Sequence, residues 1–299
     1  MFNYNNIRSI NDVVKLSNGV LMPWFGLGVW QASGEEVVDA VKWAIDDGGY
    51  RQIDGAAVYG NEEEVGLGIK NASVSRKDIF LTSKLMENSY EAAISHCEKS
   101  LQDLQTDYLD LYLIHWPRPY EGEGYVDAWK GLEKLYKDGK VRAIGVANFL
   151  VEHLETLKEK CDIVPMINQF EYHPYYQRRD LQAYCKENGI QYQAYSPLAG
   201  GAVFKDEAFK PLAEKYGKSV AQIILRFELQ TGAIVIPKSV KKERILDNAK
   251  IFDFELDAAD MQTIIDMDQN IKVTCADPNQ QWPDFMAEKQ ARLDAGAPF

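Results

Sequence analysis

The chain has 299 residues, 46% hydrophobic and 26% charged, which is the composition of an ordinary globular protein long enough to bury a large core without staples. Its net charge of −12 and pI of about 4.9 count against nucleic acid or an anionic membrane as the main partner. No apolar run approaches the roughly 20 residues of a membrane helix, and the opening MFNYNNIRSI lacks the apolar stretch of a secretory leader.

In chain order, VVKLSNGVLMP (13–23) places Asn18-Gly19 between two short apolar segments and predicts a β-hairpin. Eight short apolar runs follow: FGLGV (25–29), YRQID (50–54), IFLTSK (79–84), YLDLYLIH (108–115), RAIGVAN (142–148), PMINQ (165–169), IQYQAY (190–195) and AIVIPK (233–238). Between them, segments 35–48, 92–104, 125–140, 154–160, 178–189 and 219–232 carry apolar residues at helical spacing, and several end in glycine. Strand-like runs alternating with helices predict parallel βαβ units, and eight units in this length fit a closed (β/α)8 TIM barrel better than an open sheet. The hairpin would plug the barrel bottom. The C-terminal tail from Asp277 would wrap the surface or fray. No linker composition interrupts the chain, so residues 1–299 are expected to form a single barrel domain.

Cys97, Cys161, Cys185 and Cys275 form no CxxC pair, and none stands near a histidine at ligand spacing. Reduced thiols, no metal and a cytoplasmic setting are expected.

A barrel of this kind carries its site at the C-terminal ends of the strands. The runs end in Asp54, Ser83-Lys84, His115, Ala147-Asn148, Asn168-Gln169, Tyr195-Ser196 and Lys238-Ser239, while the first run leads into Trp30. A buried strand has no packing need for such endings. Taken singly, Asp54 could be a cap, Tyr59 a packing residue, Lys84 a surface cation and His115 a buried structural histidine. Together they form a set able to move a proton. An ammonium at Lys84, held by Asp54, would favour the ionised form of Tyr59 and ease proton donation, and His115 would orient a substrate oxygen. That is a general acid for a carbonyl oxygen gaining negative charge.

The motifs FGLGVW, YRQIDGAAVYGNEEEVG, LTSKL, DLYLIHWP, AIGVANF, NQFEYHP, YSPLAGG and IPKSVKKERILDN occur in order from about residue 20 to residue 268. This series resembles the aldo-keto reductase family, and within it the bacterial 2,5-diketogluconate and glyoxal-type reductases. The resemblance implies a (β/α)8 barrel that reduces aldehydes and ketones with NADPH. It implies Tyr59 as general acid, assisted by Lys84 and Asp54, with His115 orienting the carbonyl. Asn148 and Gln169 would bind the nicotinamide carboxamide, and Tyr195 would stack on the ring. The loop from Ser196 through Leu198 and Gly200 would lie along the pyrophosphate. Lys238, Ser239 and Arg244 would clamp the 2′-phosphate, with Asn248 reaching the adenine and Lys241 and Lys242 only solvated. Trp30, Trp116 and His115 would line the substrate pocket, with little lid after the fourth strand. A monomer is the default it implies. No G-x-G-x-x-G opens a helix after a strand, so a Rossmann site is disfavoured.

Two departures stand out. Gly55 replaces the threonine of the family's IDTA, and Ala147 replaces the serine of GVSNF. Ala147 lacks a hydroxyl for the carboxamide, worth about 0.5–1.5 kcal/mol. Two other readings are a cofactor-binding regulatory barrel with little turnover, and a Schiff-base aldolase at Lys84. An acidic partner for that lysine disfavours the aldolase, which needs a lowered amine pKa.

Overall fold

The computed structural model describes residues 7–274 and 278–279. Strands β1 (Val13–Lys15) and β2 (Leu21–Pro23) pair antiparallel. The loop between them closes with Gly19 at φ +90°, a left-handed value that glycine adopts at little cost. Asn18 accepts from the Val20 N–H at 3.1 Å and donates to the Arg142 carbonyl at 2.9 Å, which pins the hairpin beneath the strand that begins just after. The expected bottom plug is therefore present.

Eight parallel strands follow: β3 (Leu27–Gly28), β4 (Gln52–Asp54), β5 (Phe80–Leu85), β6 (Leu111–Ile114), β7 (Ile144–Ala147), β8 (Ile167–Glu171), β9 (Gln191–Tyr195) and β10 (Ile234–Val235). Their order across the sheet is their order in the chain. Bridges of Phe25 to Val235 and Gly28 to Lys238 join the last strand to the first and close the barrel. The approach is tight there: a Cβ on Gly28 would stand 2.9 Å from the Ile236 carbonyl oxygen.

The crossover helices cover the outside. Helix α1 (Glu35–Asp46) opens on two glutamates and buries Val37, Ala40, Val41, Ala44 and Ile45, the stripe a 3.6-residue repeat produces. The acidic stretch after Tyr59 forms α2 (Glu62–Lys70). Next come α3 (Tyr90–Asp103), capped by the Ser89 hydroxyl, α4 (Gly124–Lys137), α5 (Val151–Lys160) and α6 (Arg179–Glu187). The sequence reading did not mark α7 (Lys210–Tyr216) or α10 (Ala258–Ile265). Helix α8 (Val220–Thr231) carries a Ser219–Gln222 capping box and stops at Gly232, whose φ is +96°. Helix α9 (Lys242–Asn248) is tied to the barrel by the Tyr50 hydroxyl, which donates to the Ile245 carbonyl at 2.8 Å.

Below the strands, Asp110 accepts from Arg76 at 2.9 Å, Arg142 at 2.6 Å and the Leu81 N–H at 3.0 Å. The bottom is thus built for stability. Cys97, Cys161 and Cys185 are free thiols whose pKa burial pushes up, to about 12, 11 and 12. Cys275 and most of the expected tail lie outside the described residues. No helix among the described residues is long and apolar enough to cross a membrane.

Candidate active site

Side chains alternate in and out along a strand, so Asp54 and Lys84 both point into the barrel at its upper end. Lys84 is fully buried and Asp54 nearly so. The Lys84 ammonium donates to Asp54 Oδ1 at 2.5 Å and to the Gly55 carbonyl at 2.8 Å, and reaches the Tyr59 hydroxyl at 3.4 Å. Tyr59 sits in a short turn, Ala57–Tyr59, that leaves β4 and ends at Gly60 with φ +67°. Its half-buried ring meets His115 edge-on, with centroids 5.7 Å apart. The four groups expected to act together are together.

Their electrostatics follow from burial and from one another. Burial pulls the Lys84 pKa down, but Asp54 and Tyr59 push it up further, and it ends above its ordinary value. Lys84 is therefore an ammonium and a poor Schiff-base nucleophile. For Tyr59, burial raises the pKa and Lys84 lowers it, and burial prevails. The ammonium acts in the expected direction, and burial opposes it, so Tyr59 stays protonated, the form a general acid needs. Burial and the Lys84 charge hold His115 well below the usual imidazole range, so it is neutral. Its Nδ1 is buried without a hydrogen-bond partner among the described residues.

A second network lies beside the first. Gln169 donates through Nε2 to Asp54 Oδ2 at 2.7 Å and to Gln193 Oε1 at 2.8 Å. Asn148 donates to the His115 carbonyl at 2.9 Å and accepts from the Tyr195 hydroxyl at 2.7 Å. The expected carboxamide ligands are thus already joined to the proton-delivery group. Asn148 and Ser196 have left-handed backbones, φ +64° and +51°, at the ends of β7 and β9. Such strain costs about 1–3 kcal/mol per residue and gathers at functional rims. Ala199, Gly200 and Gly201 continue in this region at φ +46°, +59° and +94°. Tight turns of this kind bring backbone N–H groups together as an anion cradle.

Lys238 is exposed and donates to the Gln31 carbonyl at 3.1 Å. Ser239 accepts from the Lys241 N–H at 3.1 Å. On α9, Arg244 is exposed and Asn248 is buried four residues later, on the same face. Lys242 pairs with Asp47 at 2.8 Å, whereas Arg244 makes no ion pair among the described residues. An unpaired guanidinium above the barrel, a left-handed backbone loop and amide side chains at the rim fit the phosphates and carboxamide of a dinucleotide.

Trp30 lies 45% exposed past the end of β3, and Trp116 is half-buried beside His115. Asn88 donates to the Trp116 and Pro117 carbonyls at 3.0 and 2.8 Å, and α4 begins at Gly124, so the loop after β6 is short and pinned. Gly55 has no left-handed φ, and a Cβ there would stand 3.4 Å from the Thr82 carbonyl oxygen, an ordinary contact. The position does not require glycine. Gly55→Ala should keep kcat within about twofold and stabilise the fold by about 0.4–1 kcal/mol through the unfolded chain. A thermal melt with an assay checks both.

Several residues escaped the sequence reading. Asn61 donates to the Val29 and Ala32 carbonyls at 2.9 and 2.8 Å, holding the loop that carries Trp30. Glu62, read as part of an acidic helix start, is buried, and burial raises its pKa although Ser83 and Ser100 donate to it at 2.5 and 2.9 Å. Gln193 and Glu171 were also missed. Their position on the inward face beside Gln169 was the available signal.

Comparison with known proteins gives a consistent result. The profile of the Aldo/keto reductase family matches residues 22–269. The chain is 53% identical over 268 residues to glyoxal reductase of Bacillus subtilis, covering 89% of this chain and 96% of that one. It is 46% identical over 270 residues to methylglyoxal reductase DkgA of Escherichia coli K12, covering 90% and 97%. Among solved structures, an aspartate-to-alanine variant of Gox0644 in complex with NADPH superposes with a TM-score of 0.86 at 42% identity, covering 90% of this chain and 98% of that one.

Proposed function

The chain belongs to the aldo/keto reductase family, and we propose that it reduces aldehydes and ketones to alcohols with NADPH, Tyr59 delivering the proton. The observation that carries this reading is the buried Lys84 ammonium, held by Asp54 and the Gly55 carbonyl and reaching the Tyr59 hydroxyl. Bound NADPH supplies a hydride from C4 of its nicotinamide. Asn148 and Gln169 hold the carboxamide, Tyr195 packs on the ring, and the Ser196–Leu198–Gly200 loop follows the pyrophosphate. Lys238, Ser239 and Arg244 hold the 2′-phosphate, and Asn248 meets the adenine.

As negative charge gathers on the carbonyl oxygen, Tyr59 donates its proton. The Lys84 ammonium stabilises the phenolate left behind, and Asp54 keeps Lys84 in place. His115, neutral, orients the same oxygen by a hydrogen bond. Trp30 and Trp116 line the pocket with flat apolar surface, which suits a range of carbonyl compounds. A monomer in the cytoplasm is part of this reading and rests on the kinship. A regulatory barrel with little turnover is the alternative, and the intact set of Asp54, Tyr59, Lys84 and His115 favours the enzyme.

The test is a panel of aldehydes and ketones, headed by glyoxal and methylglyoxal, assayed with NADPH and NADH by loss of nicotinamide absorbance. Turnover with several carbonyls and preference for NADPH is the expected result. Tight NADPH binding with no turnover on any of them would favour the regulatory barrel.

The electrostatics give a pH expectation. Burial and the Lys84 charge hold the His115 pKa well below the ordinary imidazole value in the folded protein, so the residue is expected to stay neutral throughout pH 6–8. The kcat for reduction should show no limb attributable to a histidine across that window. A protonation step with an apparent pKa near 6.5 that vanishes in His115→Asn would contradict it.

A further inference from the structure

The segment that carries Tyr59 stands on strand β5 at both of its ends. At its start, the Gly55 N–H donates to the Thr82 carbonyl at 3.0 Å, and the Gly55 carbonyl accepts from Lys84 at 2.8 Å. At its end, three residues past Tyr59, Glu62 opens α2 and accepts from the Ser83 hydroxyl at 2.5 Å. Ser83 and Lys84 are neighbours on β5, and successive side chains of a strand point to opposite faces. Lys84 therefore meets Tyr59 from inside the barrel, while Ser83 meets Glu62 from outside it. The phenol and its ammonium are tied to one another through two consecutive residues of one strand.

Glu62 and Ser83 are both buried. The second carboxylate oxygen accepts from Ser100 on α3 at 2.9 Å. A buried carboxylate is a costly way to fill such a space, since an apolar side chain would avoid its dehydration. What it supplies is two acceptors aimed at two different elements, β5 and α3. The geometry it guards has little slack. The Lys84 ammonium reaches the Tyr59 hydroxyl at 3.4 Å, already long for a hydrogen bond. A further displacement of about 1 Å would break that contact, and misplacements of this size can cost about 10²-fold in rate.

We propose that Glu62 is a positioning residue, which through its hydrogen bond to Ser83 holds the Tyr59 hydroxyl within reach of Lys84. The proposal rests on the reading of Tyr59 as the general acid. Glu62 acts from outside the barrel, through the short backbone link between it and Tyr59.

The experiment compares the full chain with its Glu62→Ala, Glu62→Gln, Ser83→Ala and Ser100→Ala variants, with Tyr59→Phe as reference. The single-turnover rate of NADPH oxidation with the fastest carbonyl of the panel reads the chemical step. The NADPH Kd from protein fluorescence quenching reads binding, and a thermal melt reads stability. Glu62→Ala should lower the single-turnover rate tenfold or more and leave the NADPH Kd within twofold. Ser83→Ala, which deletes a single hydroxyl and keeps the carboxylate, should do the same should Glu62→Ala fail to fold. Glu62→Gln should recover most of the rate, because its amide oxygen accepts from one serine and its nitrogen donates to the other. Ser100→Ala leaves the bond to β5 in place. It should lower the melting temperature and keep the rate within twofold.

A rate in Ser83→Ala within twofold of wild type, with Tyr59→Phe inactive, would overturn the proposal and leave the general acid standing. A loss in Ser100→Ala as large as that in Ser83→Ala would also overturn it, because the effect would then be one of general stability. Wild-type turnover in Tyr59→Phe, or no turnover in the wild type itself, would instead overturn the reading of Tyr59, and the proposal with it.

Discussion

Tyr59→Phe should cut kcat for carbonyl reduction by about 10²–10⁴ and leave the NADPH Kd near wild type, because a positioned general acid contributes on that scale. In barrier terms this is about 3–5 kcal/mol. The variant is chosen for its cleanliness. Tyr59 is half-buried, and phenylalanine keeps the ring that meets His115 edge-on. The corresponding deletions of Lys84 or Asp54 are less informative, since each leaves its buried partner uncompensated at a cost of about 3–5 kcal/mol of stability. Stopped-flow fluorescence for binding and an absorbance assay for turnover separate the two effects. Wild-type turnover in Tyr59→Phe would remove the residue from the mechanism.

Arg244→Ala should raise the KM for NADPH by roughly 10–100-fold and leave that for NADH almost unchanged, because a charged hydrogen bond is worth about 1.5–3 kcal/mol and only NADPH carries the 2′-phosphate. The guanidinium is exposed and makes no ion pair among the described residues, so its removal disturbs no fold contact of that kind. Lys242→Ala is the control. That ammonium is engaged by Asp47 at 2.8 Å and stands over the Trp43 ring, and its loss should affect the two nucleotides alike. Equal effects of Arg244→Ala on both KM values would dissociate Arg244 from the 2′-phosphate.

The four residues proposed for proton delivery could be picked out because each ends or follows an apolar run that has no packing reason to finish on a polar group. The order of the strands was legible for a related reason: short apolar runs alternate with segments of helical period. What stayed hidden depends on partners far away in the chain. Nothing around Glu62 announces that Ser83 and Ser100 will meet its carboxylate. Nothing around Glu171 announces residues a hundred positions on. The ammonium beside Tyr59 could be read from the sequence, whereas the burial that opposes its effect could not.

The seam between β10 and β3 bears on how the protein comes into being. Asp54, Tyr59, Lys84 and His115 all leave the ribosome in the first part of the chain, on adjacent strands β4 to β6. The barrel cannot close until Val235 and Lys238 reach Phe25 and Gly28. Until then the open edges of β3 and of the growing sheet expose unpaired backbone groups, and α9, which carries Arg244, does not yet exist. A nascent chain therefore holds the four residues proposed for proton delivery for most of its synthesis without a closed barrel around them. On the proposed reading, the site is complete only once β10 has closed the barrel and α9 has followed it.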